Sequence, residues 1–540
     1  MARPTCNRQS GRVRSGARFE RWDSLVVAAL LIAAYLARRN VLPHGGLLPD
    51  DAWQAFGAAK GSPGNLLTVG FSSPGFTGAL MVWSRITGPP ERMANLAFAA
   101  GVVTPAVIYA ALRRFGYVPS ISLLLGAALV SEKLNIVYSG RVKSYVIDAL
   151  IVLGFAAVLP RVVRMRFTWR VAALWIVGSF AVGFFSPFAL VAAGVAGIAL
   201  LLRPAADLPM RTAAVVGQGV ASVALTLAVR RTYDVNALEL WWKRNYDGFV
   251  GFDAQPLRLV SHVATHLRRV AAVFSGGPSW WAALTLIVVV IALGVDAWVR
   301  RRSARGVRAQ YLLLLMLAAV VVSVAGVLPL GPTSIGMRLS LWLVPLFAIG
   351  AASALDQLRT RLAGHDVARL ALDGGAVIVA AVLIVTAAVA RPYHPAGDVR
   401  SAAPYVERKL TANDVVFIEH TECMFSYALE SHVRIGVRPR RGLVAFEPDI
   451  RDPRFYYVAF TGKLADTLLV SPASAVDYGT DVTRAVGHAD RVYLHLNAAP
   501  RAQLRGRIAF ANLLRGLGYR QESDTAFGCA RVVVWKRSAP

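Results

Sequence analysis

Long apolar segments with few or no charged residues recur along the first 390 residues of the chain. A membrane-spanning helix needs about 20 mostly apolar residues. Proline disfavours helix at the residue before it, so Pro187 divides a 32-residue uncharged run into a helical hairpin. The pattern therefore predicts eleven transmembrane helices, at 24–37, 93–112, 118–138, 144–160, 171–185, 187–202, 212–229, 279–299, 311–330, 340–355 and 374–390.

A different pattern begins after Arg391, where short alternating apolar runs are separated by helical stretches. About 150 residues of alternating strand and helix are typical of a small α/β domain. We therefore predict such a domain at 392–540. Its expected strands lie at 414–418, 456–460, 491–496 and 531–535, and its expected helices at 399–410 and 500–517.

Composition supports a membrane protein. The chain is 56% hydrophobic and 17% charged, and its mean hydropathy is +0.49. A single soluble domain carries more charge, and a disordered chain has far less apolar material. The net charge of +28 has two interpretations, a nucleic-acid partner or basic loops that set membrane topology.

The distribution of the basic residues favours topology. With the N-terminus in the cytoplasm, the inside segments hold 22 Lys and Arg in 78 residues, and the outside segments hold 15 in 122. This excess on the inner side is what the positive-inside rule requires. Two pairs, Arg38–Arg39 and Arg230–Arg231, fall on the outer side against the rule. We therefore expect no nucleic-acid partner.

The topology predicts a multi-pass protein of the cytoplasmic membrane. Residues 1–22 form a basic cytoplasmic tail, and residues 23–391 form the transmembrane domain. Outer loops lie at 40–92 and 230–278, and the α/β domain at 392–540 is extracytoplasmic.

The cysteines follow this division. Cys6 lies in the cytoplasmic tail, whereas Cys423 and Cys529 lie in the outer domain. An oxidising exterior permits a disulfide between the last two. Two separate buried thiols are the alternative.

Two adjacent acids stand just outside the first predicted span. Asp50 and Asp51 open an amphipathic segment that carries Trp53 and Phe56. A carboxylate there is suited to act as a general base on an acceptor hydroxyl, or the pair could hold a divalent metal such as Mg²⁺ or Mn²⁺. The alternative is a helix start, in which first-turn acids stabilise a short interfacial helix. Motifs for nucleotide cofactors are absent from the sequence.

A second apolar helix follows within the same outer loop, opening at 71–76 and ending near Thr87. If this helix crossed the membrane, every later loop would change sides and the basic excess would invert. We therefore expect it to lie on the membrane.

A short basic turn precedes the fourth span. Arg141 and Lys143 there suit an anionic lipid phosphate, and Tyr138, Ser139 and Tyr145 flank them. The alternative is ordinary contact of long cationic side chains with lipid head groups.

Two later segments carry further binding candidates. Trp241 and Trp242 belong to an aromatic and basic cluster, which indicates interfacial anchoring or contact with a lipid-linked substrate. Arg338, just outside the tenth span, is another candidate for binding a phosphate.

Taken together, these elements resemble the GT-C glycosyltransferases, and more narrowly the bacterial members related to protein O-mannosyltransferases (family 39) and aminoarabinose transferases. The resemblance rests on the acidic pair, the juxtamembrane helix at Pro74, the Tyr-Ser-x-x-Arg-x-x-x-Tyr turn and the outer α/β domain. It implies transfer of a sugar from a polyprenyl-phosphate donor to an acceptor outside the membrane.

Residue by residue, the resemblance makes Asp50 or Asp51 the catalytic acid. It matches Tyr138, Ser139, Arg141 and Tyr145 to the family's turn, and Arg338 with Pro345 to its late helix. The sequence departs from some relatives at Ser72–Ser73, where they carry an acid before the proline.

Three functions remain open from the sequence. The first is an inverting glycosyltransferase whose acceptor is a glycan, a lipid or a protein. The second is a flippase or transporter for lipid-linked sugars, which would need ionisable residues near the midplane of the membrane. The third is a non-catalytic assembly protein of the cell envelope.

Overall fold

The structure is a computed structural model. It describes residues 20–538 apart from 44–46, 67–72, 204–205, 232–234, 251, 253–254, 277, 390–401, 420–421, 434, 440–445, 451, 460–467, 472–473, 477, 498–503 and 528–529. Cys6, Cys529, the Phe71–Ser72 pair and the expected boundary at 391–392 lie outside the described residues. The disulfide therefore stays a prediction.

The chain up to Val389 is helical. Its α-helices are α1 (Arg21–Arg38), α2 (Pro49–Lys60), α3 (Pro74–Thr87), α4 (Asn95–Arg114), α5 (Pro119–Ser131), α6 (Lys133–Ser139), α7 (Tyr145–Val162), α8 (Trp169–Phe185), α9 (Pro187–Leu201), α10 (Leu208–Arg230), α11 (Val235–Tyr246), α12 (Pro256–Ser275), α13 (Ser279–Val299), α14 (Ala304–Val324), α15 (Val344–Arg361) and α16 (Asp366–Val389). Short 3₁₀ segments lie at Pro63–Asn65, Pro90–Ala94 and Ser334–Leu343.

Each of the eleven predicted spans corresponds to a helix or to a bent helix pair. Among the described residues, seven helices are long and apolar enough to cross a membrane, and the pair α5 and α6 makes an eighth. The shorter helices α8 and α9 are also apolar. The first helix, α1, carries three charged residues, Arg21, Asp23 and Arg38, in its 18 residues. The predicted polytopic helical fold is therefore confirmed.

The span formed by α5 and α6 bends by 58° at Glu132. The Glu132 carboxylate caps α6, accepting the backbone N–H groups of Leu134 at 2.8 Å and Asn135 at 2.5 Å. Such a cap satisfies the donors that a helix start leaves unpaired. The bend therefore ends one helix and starts a new one in the direction of the basic turn.

Arg38 closes the other side of this bend. Its guanidinium is fully buried and donates to the carbonyl oxygens of Leu129 at 2.9 Å and Val130 at 3.3 Å, near the end of α5. Its Nε also donates to the hydroxyl of Ser139 at 3.2 Å. Arg38, which opposed the positive-inside rule, is thus an internal cap and not a surface charge.

The hairpin of α8 and α9 turns at Ser186, whose hydroxyl accepts the N–H groups of Phe188 and Ala189. The start of α3 packs on this turn. The Ser73 hydroxyl donates to the carbonyl of Phe185, and a side chain at Gly75 would meet the Phe184 oxygen at 3.0 Å. With 14 residues α3 is shorter than α8 and α9, and it is not among the described helices that are long and apolar enough to cross a membrane.

The C-terminal region is an α/β fold. A seven-stranded sheet has the order β6-β5-β4-β1-β7-β9-β8, with β1 parallel to β4 and to β7 and the other pairs antiparallel. A separate hairpin joins β2 and β3. The elements are α17 (Ala403–Lys409), β1 (Val415–Glu419), α18 (Glu422–Glu430), β2 (Ile435–Pro439), β3 (Phe446–Ile450), β4 (Phe455–Ala459), β5 (Leu468–Ser471), β6 (Ser474–Val476), α19 (Tyr478–Val486), β7 (Arg491–Asn497), α20 (Leu504–Gly516), β8 (Tyr519–Phe527) and β9 (Ala530–Arg537).

The C-terminal region shares a hydrophobic core with α2 and α3. Phe56 of α2 packs against Phe425 of α18, with ring centroids 5.9 Å apart. The same cluster contains Phe76 of α3 and Ile418 of the central strand β1. The helix that carries the two acids therefore lies between the membrane bundle and the α/β region.

Candidate active site

The two acids occupy the first turn of α2. Pro49 at the first helical position fixes the start of the helix, and the acids face the positive end of its dipole. A helix therefore starts at the acids, as the alternative interpretation expected, but neither acid is its N-cap. The two side chains differ in exposure, because the Asp51 side chain is 2% exposed and that of Asp50 is 37% exposed.

Arg141 holds both acids. Its Nε donates to Oδ2 of Asp51 at 2.5 Å, and its Nη2 lies 3.3 Å from Oδ2 of Asp50. The other oxygen of Asp51 accepts the backbone N–H of Val142 at 3.2 Å. Asp51 is therefore engaged through both oxygens, and it fixes the turn before α7 against α2.

Lys143, two residues after Arg141 in the turn before α7, also contacts Asp50. Its Nζ lies 3.5 Å from Oδ1 of Asp50 and 4.2 Å from the centre of the Trp53 ring. The Trp53 indole N–H also points at Oδ1 of Asp50, at 3.5 Å. An ammonium between a carboxylate and an aromatic face is stabilised by both. Trp53 thus belongs to the site, three residues after Asp50 on the same face of α2.

Arg338 approaches the acids from the 3₁₀ segment before α15. Its Nη2 is 3.8 Å from Oδ2 of Asp50, and its Nη1 donates to the Tyr138 hydroxyl at 3.4 Å. The rings of Tyr138, Tyr145 and Trp242 surround the guanidinium at 5.7–5.9 Å. Residues from distant segments of the sequence therefore meet around the Asp50 carboxylate.

Burial and the nearby charges together shift the pKa values of the two acids in opposite directions. Burial raises the pKa of Asp50, but the positive charges of Lys143, Arg338 and Arg141 outweigh it and hold that pKa below its usual value. Burial raises the pKa of Asp51, and here Arg141 and Lys143 do not fully compensate. Asp50, the more exposed acid, is therefore ionised throughout the physiological range.

The remaining predicted residues lie around this cluster or beside it. Ser139 is fully buried, and its hydroxyl accepts a hydrogen bond from Nε of Arg38. It lies on the side of α6 that packs against Gly101. Trp241 lies on α11 next to Trp242, and its side chain lies outside the described part of the structure. The proposed substrate contacts of Ser139 and Trp241 stay predictions.

The acid pair does not fit a divalent cation. Both oxygens of Asp51 are already engaged, and the carboxylate of Asp50 is met by three cationic side chains. A metal ion would have to displace these cationic side chains or bind against their electrostatic repulsion. Among the described residues no group of three or more His, Cys, Asp or Glu is placed to hold a metal.

The fold is similar to that of ArnT, a membrane protein. Two crystal structures of ArnT from Cupriavidus metallidurans match it, one bound to undecaprenyl phosphate and one in the apo state. Both have a TM-score of 0.52. They are 15% and 14% identical to this chain, and the matches cover 95% of this chain and 98% and 97% of theirs. No protein-family model and no curated protein sequence matches the chain.

At this identity the likeness shows the fold alone. Because it spans almost the whole of both chains, it includes the helical bundle and the C-terminal α/β region together. The expected GT-C architecture is therefore confirmed, whereas the relation to family 39 stays a prediction.

Proposed function

We propose that the protein is a membrane glycosyltransferase that takes a sugar from a polyprenyl-phosphate donor and passes it to an acceptor hydroxyl. The observation that carries this proposal is the convergence of Arg141, Lys143 and Arg338 on Asp50. Three cations and two carboxylates leave one uncompensated positive charge, which matches the single negative charge of a phosphodiester donor. The ArnT structure bound to undecaprenyl phosphate supports this class of donor.

Asp50 is the general base in this proposal. Its side chain is accessible, whereas Asp51 is held through both oxygens. The acceptor oxygen attacks the anomeric carbon while its proton moves to the Asp50 carboxylate. The bond from that carbon to the phosphate oxygen breaks, and its electron pair stays on the departing polyprenyl phosphate. The attack occurs opposite the leaving group, so the configuration at the anomeric carbon inverts.

The cations act on the leaving group. Negative charge grows on the phosphate as the bond breaks, and Arg338 and Lys143 are already in place to stabilise it. A guanidinium held by aromatic rings loses little conformational freedom when it binds a phosphate oxygen. Tyr138, Tyr145 and Trp242 thus position Arg338 for this role.

The same proposal orients the protein in the membrane. The distribution of basic residues favours an N-terminus in the cytoplasm, and α2, the basic turn and the α/β region then face the exterior. The acceptor is then a glycan, lipid or protein of the cell envelope, and the protein belongs to the cytoplasmic membrane.

A transporter would require an ionisable relay within the bundle. The Glu132 carboxylate caps α6. Asp148 lies in the first turn of α7 beside Ser144, at the end of the bundle that carries Asp50. The arrangement of these two acids favours transfer over transport.

The decisive experiment incubates membranes that contain the protein with a panel of radiolabelled polyprenyl-phosphate sugars. The labelled product identifies the donor and the acceptor together. We expect label transfer by the parent protein and by E91Q, a control in the same outer loop but outside the acid cluster. D50N should insert normally and lose transfer by at least about 100-fold. Full activity of D50N, or no transfer from any donor, would overturn the proposal.

A further inference from the structure

At the end of the bundle opposite Asp50, three arginines form no ion pair within the described part of the chain. Arg161 lies in the last turn of α7, Arg164 follows in the connection to α8, and Arg308 lies near the start of α14. We call these three residues the arginine cluster. Since α7 begins at Tyr145, beside the acids, Arg161 lies about 24 Å further along the helix axis.

Arg308 is the half-buried member of the cluster. Its guanidinium carbon lies 3.7 Å from the centre of the Phe115 ring, and its Nε is shielded from solvent without an acceptor among the described residues. Its helix α14 packs against α7, and the positive charges of Arg161, Arg164 and Arg305 act on the guanidinium. Withdrawing such donors from water without a partner is costly, so an anion from outside the chain would stabilise this site.

Two neighbouring arginines, unlike the members of the cluster, are paired with carboxylates. Arg305 binds Asp296 at 2.6 Å and Asp356 at 2.5 Å. Arg211 binds Asp207 at 3.1 Å.

The segment that carries Arg164 is held in place. Arg211 donates to the carbonyl oxygens of Val163 at 2.9 Å and Met165 at 3.1 Å, on either side of Arg164. The Asp207 carboxylate accepts the backbone N–H of Phe167. The connection between α7 and α8 is therefore fixed before any ligand arrives, which lowers the entropic cost of binding.

Large apolar side chains are exposed beside the arginines. Met165 is 47% exposed, Trp169 68% and Leu202 63%. Arg170 stacks on Trp169 at 5.4 Å. Exposed tryptophan next to arginine at a helix end is typical of the boundary between hydrocarbon and head groups. A free phosphate ion would use the charges alone, whereas a lipid would also cover the apolar side chains.

We propose that the arginine cluster binds the phosphate head group of an anionic membrane phospholipid, with its acyl chains against the exposed apolar side chains. The site is separate from the acid cluster and does not depend on sugar transfer. In the orientation proposed above, it faces the cytoplasmic leaflet, where anionic lipids attract basic segments.

In the test, the full-length protein in detergent is titrated with phosphatidylglycerol, phosphatidylcholine or inorganic phosphate. Thermal unfolding measures stabilisation by each ligand, and native mass spectrometry measures how much lipid stays bound. The variant R161Q/R164Q/R308M removes the cluster and keeps an apolar contact with Phe115. The matched control R114Q/R301Q/R302Q removes three exposed charges from the same end of the bundle.

We expect phosphatidylglycerol to stabilise and remain bound to the parent and the control, whereas phosphatidylcholine does neither. Each of the three arginines that meet the phosphate is worth about fivefold in affinity, so the cluster variant should bind about 100-fold more weakly. R308M alone should bind about fivefold more weakly, which keeps the test valid if the triple variant does not fold. Equal binding by R308M and the control, or equal stabilisation by inorganic phosphate, would overturn the proposal.

Discussion

Phe56 of the acidic helix α2 packs on Phe425 of α18, with ring centroids 5.9 Å apart and ring planes inclined by 56°. The contact joins the helix that carries Asp50 to the α/β region. We therefore expect F425L to reduce kcat by about tenfold, because a small displacement of a reacting group can cost about 100-fold. The readout is transfer from the labelled donor, measured on protein of verified folding.

The matched control for this variant is F510L. Phe510 packs on Phe417 at 5.2 Å in a separate cluster of the α/β region, which α2 does not join. Losing either aromatic pair should destabilise the region by about 0.5–1.5 kcal/mol, whereas only F425L should slow transfer. Equal activity losses in the two variants would mean that general destabilisation, and not the position of α2, limits the rate.

Local pattern was sufficient to predict the apolar spans and the central strands, but not the helices α11, α12, α18 and α19. An apolar run of span length, or a short alternating run such as the one at β7, is a property of neighbouring residues. The break at Glu132 was not predicted, since it depends on Arg38, about 90 residues away, closing the end of α5. The outer strands β5, β6 and β8 were not predicted for a related reason, because pairing with a neighbouring strand defines them more than their own composition does.

The same distinction holds at the site. Asp50 with Asp51, and Arg141 with Lys143, were found because each pair is adjacent or nearly so in sequence. The contact of Arg338 with the acids was not predicted, although the residue was a phosphate candidate, because the fold brings it across the bundle. The contact of Trp53 with Asp50 could have been predicted, because residues three apart in a helix lie on the same face.

Arg38 should be essential for the stability of the bent span. R38M removes the donors that serve the carbonyl groups of Leu129 and Val130, and a buried acceptor left unpaired costs about 1–3 kcal/mol. We expect a lower melting temperature in detergent and a loss of transfer. R39M is the control, because Arg39 is exposed and adjacent. If R39M proved as unstable as R38M, the capping role of Arg38 would be refuted.

Asp51 and Asp50 should respond differently to the same substitution. D51N keeps the shape of the side chain but removes the charge that holds Arg141, and a hydrogen bond to a charged group is worth about 1.5–3 kcal/mol. We expect kcat/KM for the donor to fall by about 10–100-fold, with residual activity that D50N lacks. Measurements of donor binding and of single-turnover transfer distinguish the binding defect expected in D51N from the chemical defect expected in D50N. Normal donor binding with no chemistry in D51N would instead make Asp51 the base.

Transfer should survive removal of divalent metals. The cations around Asp50 already occupy the positions from which a metal ion would bind the carboxylate. We therefore expect the same rate of label transfer after treatment with EDTA as in untreated membranes. The control receives EDTA saturated with Mg²⁺. A loss of activity that Mg²⁺ or Mn²⁺ restores would contradict the expectation.

Lys143 should set the acidic limb of the pH profile. Burial raises the pKa of Asp50, and Lys143 is the strongest of the three charges that bring it below its usual value. Removing that charge in K143M raises the pKa of Asp50, so that the base becomes protonated at a higher pH. The acidic limb of log kcat/KM should therefore move to higher pH in K143M and stay unchanged in K133M, since Lys133 is exposed on α6. K143R keeps the positive charge, so its acidic limb should lie at the same pH as that of the parent protein. An unshifted limb in K143M, with measurable transfer, would show that Asp50 is not the group that must lose its proton.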